Sequence, residues 1–264
     1  MRVLLTGAAG SIGQVLVEGL ATRGHQVVGV DLVPVPEGLD VPWHVVDCTD
    51  PEAVAGTVEE VAPDAVVHLA GHPDELDLPG SLRSHVHTTA ALLDAMVACR
   101  VGRIVYASSN HAVGRTPRPQ TGVVGVDAQP RPDTFYGVGK VAAEALLHLY
   151  ADRYGIDAVA CRIGSFLPEP VTARHLSTWL SPGDCVRMVD AALTAPAPGF
   201  AVLYGISANT DAWWDLEPGR ALGYEPVDDA AAYTAGIAPR PEDPFEAEHV
   251  GGPFAGEEFW RPAL

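Results

Sequence analysis

A tyrosine and a lysine four positions apart, in the run Tyr136-Gly137-Val138-Gly139-Lys140, carry the strongest chemical signal in this sequence. On a helix that spacing stacks the phenol and the ammonium on one face, one turn apart. A phenol works as a base near neutral pH only if its pKa falls from about 10 by roughly 3 units, or about 4 kcal/mol. A fixed neighbouring cation, joined by a positively charged cofactor ring, shifts it in that direction. The chain has one lysine against 15 arginines, so Arg serves wherever only a charge is needed. Lys140 is read as placed for its compact ammonium, which a planar guanidinium replaces poorly. A hydroxyl for the reacting oxygen is offered by Val105-Tyr106-Ala107-Ser108-Ser109-Asn110-His111. Ser109 is the expected donor and Ser108 the alternative, because strand alternation turns the two hydroxyls opposite ways.

A second signal lies near the N-terminus, in Thr6-Gly7-Ala8-Ala9-Gly10-Ser11-Ile12-Gly13. After a strand and before a helix, Gly7, Gly10 and Gly13 let the backbone turn tightly, so that Ser11 and Ile12 open a helix onto a pyrophosphate. Asp31 follows Gly7 by 24 positions, near the spacing at which a carboxylate accepts hydrogen bonds from adenosine ribose hydroxyls. Its charge opposes the extra phosphate of NADP, so NAD is the predicted cofactor; a turn-capping role for Asp31 is compatible with this. Asp47 and Cys48 are expected at the adenine end, and Leu69, Ala70 and Gly71 near the middle of the dinucleotide.

These residues need a scaffold, and the first 70 positions supply one by alternating Val-rich runs with amphipathic segments, the signature of βαβ units. Strands are expected at Val3 to Thr6, Gln26 to Val30, Trp43 to Asp47, Asp64 to Ala70, Arg103 to Ser108, Ala158 to Ile163 and Ala201 to Tyr204. Helices are expected over Ser11 to Arg23, Leu82 to Cys99, Tyr136 to Tyr154 and Asp184 to Leu193. The fold class is therefore α/β, a doubly wound parallel sheet of Rossmann type with a small C-terminal substrate-binding lobe. An NAD-binding core over 1–165 and a smaller substrate-binding region over 166–264 are expected to pack as one compact unit. Val113 to Phe135 reads as a long loop beyond a strand's C-terminal end, where open α/β sheets bind ligands. The Pro-rich sequence from Pro239 is expected to lie extended over the surface.

Composition narrows the function classes. A chain of 264 residues, 47% hydrophobic, is long enough for a sizeable core. Its formal net charge of −18 repels nucleic-acid phosphates and anionic lipid, so neither nucleic acid nor membrane is an expected partner. Without a signal-peptide pattern or an apolar run of about 18 residues, it reads as cytoplasmic. Cys48, Cys99, Cys161 and Cys185 are too scattered for a zinc knuckle or redox pair. His85 and His87 lack a third ligand, so no metal is expected.

Together, T-G-A-A-G-S-I-G, the serine ending the fifth strand and Y-G-V-G-K resemble the extended short-chain dehydrogenase/reductase superfamily. That resemblance implies a Rossmann fold and Tyr, Lys, Ser chemistry on a carbinol or carbonyl. Further segments are similar to the bacterial uronate dehydrogenases: Ala107-Ser108-Ser109-Asn110-His111, Arg162-Ile163-Gly164-Ser165 with Pro168-Glu169-Pro170, Arg174-His175-Leu176-Ser177-Thr178-Trp179, Gly205-Ile206-Ser207-Ala208-Asn209 and Trp213-Trp214-Asp215. The resemblance implies oxidation of C1 of a cyclic sugar acid, glucuronate or galacturonate, to an aldaric acid lactone with NAD. It makes Tyr136 the base, with Ser109 holding the oxygen and Lys140 the nicotinamide ribose. Asn110, His111 and Ser165 would bind sugar hydroxyls, Arg174 the carboxylate, and Ile163 the nicotinamide end. It also implies a homo-oligomer.

The departures are local. His72-Pro73-Asp74-Glu75 stands where the family carries a serine-containing substrate loop, His85 where the superfamily commonly has a cofactor-side asparagine, and Gly139 where it often has serine. The last exchange is expected to be harmless. A nucleotide-sugar epimerase or dehydratase would keep Tyr136 and Lys140 but need a larger C-terminal lobe than the roughly 100 residues after Ser165 provide. A non-catalytic dinucleotide sensor would need no proton-transfer pair.

Overall fold

A computed structural model describes all 264 residues, Met1–Leu264. The chain runs β1 (Arg2–Thr6), α1 (Ser11–Thr22), β2 (Gln26–Asp31), β3 (Trp43–Val45), α2 (Pro51–Val61), β4 (Ala65–His68), α3 (Leu78–Leu82), α4 (Thr88–Cys99) and β5 (Arg103–Ser109). It continues through α5 (Phe135–Tyr154), β6 (Asp157–Ile163), β7 (Ser165–Phe166), α6 (His175–Thr178), β8 (Trp179–Leu180), α7 (Pro182–Thr194) and β9 (Phe200–Gly205). Seven strands form one sheet in the order β3-β2-β1-β4-β5-β6-β9, every pairing parallel. Strand order reverses between β1 and β4, which opens a crevice at their C-terminal ends.

Alternation along β1 feeds two cores. Val3 and Leu5 face α1 and α7, with Leu16, Leu20 and Met188, while Leu4 faces α2, α4 and α5, with Val58, Met96 and Leu147. A third cluster of Val113, Val124, Tyr204, Trp213, Trp214 and Val250 ties the loop after β5 to the C-terminal region. Side-chain caps set several helix starts. Asp50 accepts from Glu52 and Ala53 N–H on α2, Thr134 from Gly137 N–H on α5, and Ser181 from Asp184 N–H on α7. Gly155 closes α5 in a left-handed conformation, φ +69°.

Three expectations change. The helix expected over Leu82 to Cys99 starts at Leu78, because Asp77 caps it, and widens into a π-type turn over Arg83–His87. Residues beyond 165 contribute to the sheet itself: β9 pairs with β6 and α7 packs beside α1. The strong apolar face of α7 can be buried only there. The segment from Pro239 is not simply laid over the surface. It forms short turns at Asp243–Glu246, Gly252–Ala255 and Glu257–Phe259, and buries Val250, Gly252 and Ala255. Backbone hydrogen bonds from Val250 to Thr116, Gly251 to Gly114 and Arg118 to Glu248 fix it against the loop after β5. No helix is long and apolar enough to cross a membrane.

Candidate active site

The crevice at the β1/β4 switch is a cleft of about 1150 Å3. Its wall at β1 is the Thr6–Gly13 turn. Gly7 has φ +73°, and a Cβ there would lie 2.8 Å from Ala70 N, so only glycine lets the turn pass beneath the end of β4. A Cβ on Gly13 would lie 2.4 Å from Gly7 O. Gly10 caps α1 without a side chain, and the N–H groups of Ser11, Ile12 and Gly13 have no acceptor within the protein. Three unpaired donors at the positive end of a 12-residue helix form an anion cradle. These groups fit a dinucleotide pyrophosphate.

Asp31, at the end of β2, accepts from Ala9 N–H at 2.9 Å and from Leu32 N–H at 2.7 Å. Its carboxylate thus braces the glycine turn while lining the same cleft. Asp47 accepts from Thr49 N–H at 2.8 Å, and hydrogen bonds from Thr49 hold its carboxyl below the usual range. Burial pushes the neighbouring Cys48 thiol up to about 12, an inert wall. Leu69, Ala70, Gly71 and Ile163 line the cleft farther along. His85 turns inward and His87 outward, so the two do not converge. No group of three or more His, Cys, Asp or Glu side chains is placed to hold one metal ion.

Tyr136 and Lys140 lie on the first turns of α5, and both reach this cleft. The Lys140 ammonium donates to Ala107 O at 2.7 Å and lies 5.3 Å from the Tyr136 ring centroid. Burial brings Lys140 down to about 7, opposed by the Glu144 carboxylate one turn on. Burial pushes Tyr136 up to about 12, and a hydrogen bond from Ser109 draws it back. The two serines divide as strand alternation requires. Ser108 donates to Glu144 at 2.5 Å, within a buried ion pair of Glu144 and Arg162 at 2.8 Å. Ser109 faces the phenol, accepts from His111 N–H at 3.2 Å and donates to Asn110 Oδ1 at 3.3 Å.

Beyond Gly164, which lines both spaces, a second pocket of about 330 Å3 brings together Asn110, His111, Ser165 and Arg174. Arg174 donates to Ser165 Oγ at 3.1 Å and to Val250 O at 2.9 Å, while its buried Nε has no partner. No carboxylate forms an ion pair with it. The nearby acids are engaged elsewhere, Glu246 with Arg240 at 2.7 Å and Asp133 with His111 at 2.9 Å. The Asp133 side chain is fully buried and accepts from His111 Nδ1, which leaves Nε2 as the free ring nitrogen.

Several residues of this site escape a reading by motif. Glu75 accepts from Phe135 N–H at 2.8 Å and Tyr136 N–H at 2.9 Å, so the unusual loop after β4 caps the helix that carries the Tyr–Lys pair. Its only sequence signal is an acid beside a helix start 60 positions away. Asp133 was signalled only by its position before the cap Thr134. Arg240, Glu246 and Phe254 line the pocket from a segment with no periodicity.

A sequence profile of the NAD dependent epimerase/dehydratase family matches residues 3–181. The chain is 35% identical over 260 residues to a uronate dehydrogenase of Pseudomonas putida, covering 96% of this chain and 95% of that one. It is 36% identical over 258 residues to an L-arabinose 1-dehydrogenase (NAD(P)(+)) of Haloferax volcanii, covering 87% of this chain and 98% of the relative. Its fold is similar to the crystal structure of a tyrosine-to-alanine mutant of Agrobacterium tumefaciens uronate dehydrogenase complexed with NAD. There the TM-score is 0.89 at 36% identity, over 100% of this chain and 98% of that one.

Proposed function

The chain belongs to the NAD dependent epimerase/dehydratase family, and from that premise we propose that it is a uronate dehydrogenase. The reaction is oxidation of C1 of cyclic glucuronate or galacturonate to the aldaric acid lactone. The observation that carries this reading is Arg174, a guanidinium without a carboxylate partner in a small pocket that adjoins Tyr136, Ser109 and Lys140. In a protein of net charge −18, a lined pocket that keeps one arginine unpaired supports a carboxylate-bearing substrate. Glu246 and Asp133, the acids near Arg174, are already engaged by Arg240 and His111, which leaves the Arg174 guanidinium without an ion-pair partner in this pocket. A pocket of about 330 Å3 suits a single sugar ring better than a nucleoside diphosphate sugar, the epimerase alternative.

Ser11, Ile12 and Gly13, with Gly7 and Gly10 shaping the turn, would hold the pyrophosphate of NAD. Asp31 would hold the adenosine ribose, and Asp47 and Cys48 would flank the adenine. Leu69, Ala70 and Gly71 would pass along the dinucleotide to Ile163 at the nicotinamide end, with Lys140 on that ribose. Bound NAD supplies the hydride acceptor. Tyr136 takes the proton of the C1 hydroxyl at its phenolate oxygen, and Ser109 fixes that oxygen by a hydrogen bond. The Ser109 hydrogen bond already opposes the burial that holds this phenol near 12, and added positive charge would lower it further, with the Lys140 ammonium 5.3 Å from the ring as the protein's own source. Asn110, His111 and Ser165 orient the ring hydroxyls while Arg174 grips the carboxylate.

The test is NADH absorbance on mixing protein and NAD with glucuronate or galacturonate, using glucose, galactose and arabinose as uncharged controls. Reduction by the uronates alone is expected. Equal rates with the neutral sugars would remove the carboxylate from the reading, and no rate with any sugar would remove the dehydrogenase.

A further inference from the structure

Between α3 and α4 the helix widens over Arg83–His87 into a π-type turn. Such turns shift the side chains that follow and occur often at functional sites. The hydroxyls of Thr88 and Thr89 donate back to Ser84 O at 2.7 Å and His85 O at 2.6 Å, which steadies the carbonyls of the widened turn. The outcome is an inward His85, 2% exposed, standing edge-on to Tyr136 with ring centroids 4.9 Å apart and planes at 88°.

Two glycines fit around that imidazole. A Cβ on Gly139 would lie 3.0 Å from His85 Cδ2 and 3.1 Å from Ser81 O, and a Cβ on Gly71 would lie 2.7 Å from His85 Nδ1. Gly139 sits inside α5, between Tyr136 and Lys140, where glycine weakens a helix relative to alanine. The position therefore needs a reason, and the imidazole supplies one beside the close approach of Ser81 O. His85 Nδ1 is buried without a partner, so hydrogen bonding within the protein does not account for a histidine here. Burial, with Lys140, His68 and His72 nearby, keeps the ring uncharged, so it packs against the phenol without competing with the Lys140 ammonium. On its other side Tyr136 meets His111, centroids 5.9 Å apart, which Asp133 anchors.

We propose that His85 is a positioning residue for Tyr136, a wedge that holds the phenol toward Ser109, and that Gly71 and Gly139 are its seat. The inference rests on Tyr136 being the base of the proposed reaction. His85 lines the dinucleotide cleft and meets the phenol ring but is not part of the Arg174 pocket, so its removal acts on kcat more than on sugar binding.

The experiment is a cycle of His85→Ala, Gly139→Ala and the double variant. It reads kcat and KM with uronate, NAD affinity by titration of protein fluorescence, and the thermal midpoint as a check on folding. His85→Ala is expected to lower kcat about twentyfold while sugar KM and NAD Kd stay within about threefold. Gly139→Ala is expected to cost about tenfold with His85 present, by pressing the imidazole onto the phenol, and less than about threefold once His85 is gone. A wild-type kcat in His85→Ala, or equal costs of Gly139→Ala in both backgrounds, overturns the proposal. Should His85→Ala fail to fold, His85→Asn substitutes a smaller polar side chain, and an undiminished kcat there overturns it equally. A wild-type protein inactive on every uronate would overturn the proposed function and this inference with it. An active wild type with unaffected variants overturns this inference alone.

Discussion

At the end of the cleft proposed for the dinucleotide, the groups that would meet a ligand's charge are N–H groups of one continuous stretch, Ser11 to Gly13, presented by a turn of glycines. At the sugar end they are side chains drawn from separate segments: Asn110 and His111 after β5, Ser165 and Arg174 after β6, and Arg240 and Phe254 near the C-terminus. Three of those side chains are held by groups from other positions. Asp133 fixes His111, Ser165 and Val250 fix Arg174, and Asp243 and Glu246 fix Arg240. A backbone site depends on local conformation and shares its work among equivalent donors. A side-chain site depends on long-range packing and concentrates its work in single groups.

Substitutions sharpen that contrast. The largest effect is expected at the seam between the two ends. Tyr136→Phe should lower kcat about a thousandfold with NAD Kd nearly unchanged, by stopped-flow hydride transfer and fluorescence titration. Arg174→Ala should lower kcat/KM for glucuronate about a hundredfold and leave any activity on neutral aldoses intact, and Arg174→Lys should not restore it. An unchanged KM would break the contrast by emptying the sugar end of its anchor.

Acid should strike the cofactor half through its buried histidines. His68 and His85 are pushed down to about 3 and about 2 from 6.5, so the unfolded chain takes up their protons first. Stability is then fully present above about pH 6.5 and declines as pH falls toward the folded values. Each site costs about 2 kcal/mol by pH 5, which thermal melts between pH 7 and pH 5 would detect. At the backbone site, Asp31→Ala should weaken NAD only about tenfold, because Ser11, Ile12 and Gly13 still supply their N–H groups. Calorimetric titration checks this, and a loss of binding altogether would make that end depend on a single side chain as well. Smallest of all, Glu75→Gln keeps an acceptor at the start of α5 but removes its charge. It should cost about 1 kcal/mol and lower the thermal midpoint by about 2–4 °C.

The same contrast explains what was legible in the sequence. The parallel sheet could be read because Val-rich runs and helical periodicity are local patterns, and the Thr6–Gly13 turn because glycine spacing is local too. Tyr136 and Lys140 were readable by helix spacing, and alternation on β5 left only the choice between Ser108 and Ser109, of which the fold engages Ser108 with the Glu144–Arg162 pair. Arg174 and Ser165 needed resemblance, since nothing local distinguishes an arginine in a Pro-rich stretch. The role of the Pro239 segment was not legible. Val250 is held by Arg174 and Thr116 and Gly251 by Gly114, contacts that leave no periodic trace. Gly139 looked neutral alone and becomes informative only beside His85, 54 positions earlier, whose ring would lie 3.0 Å from a Cβ added there.

The attachment of the C-terminal segment also orders events in time. A ribosome delivers β1 to β6, and with them the whole glycine turn, Asp31, Tyr136 and Lys140, before the residues around Val250 and Phe254 exist. Folding that proceeds from the N-terminus during synthesis therefore completes the groups lining the dinucleotide cleft first. The sugar pocket is finished last, when its closing wall finally emerges.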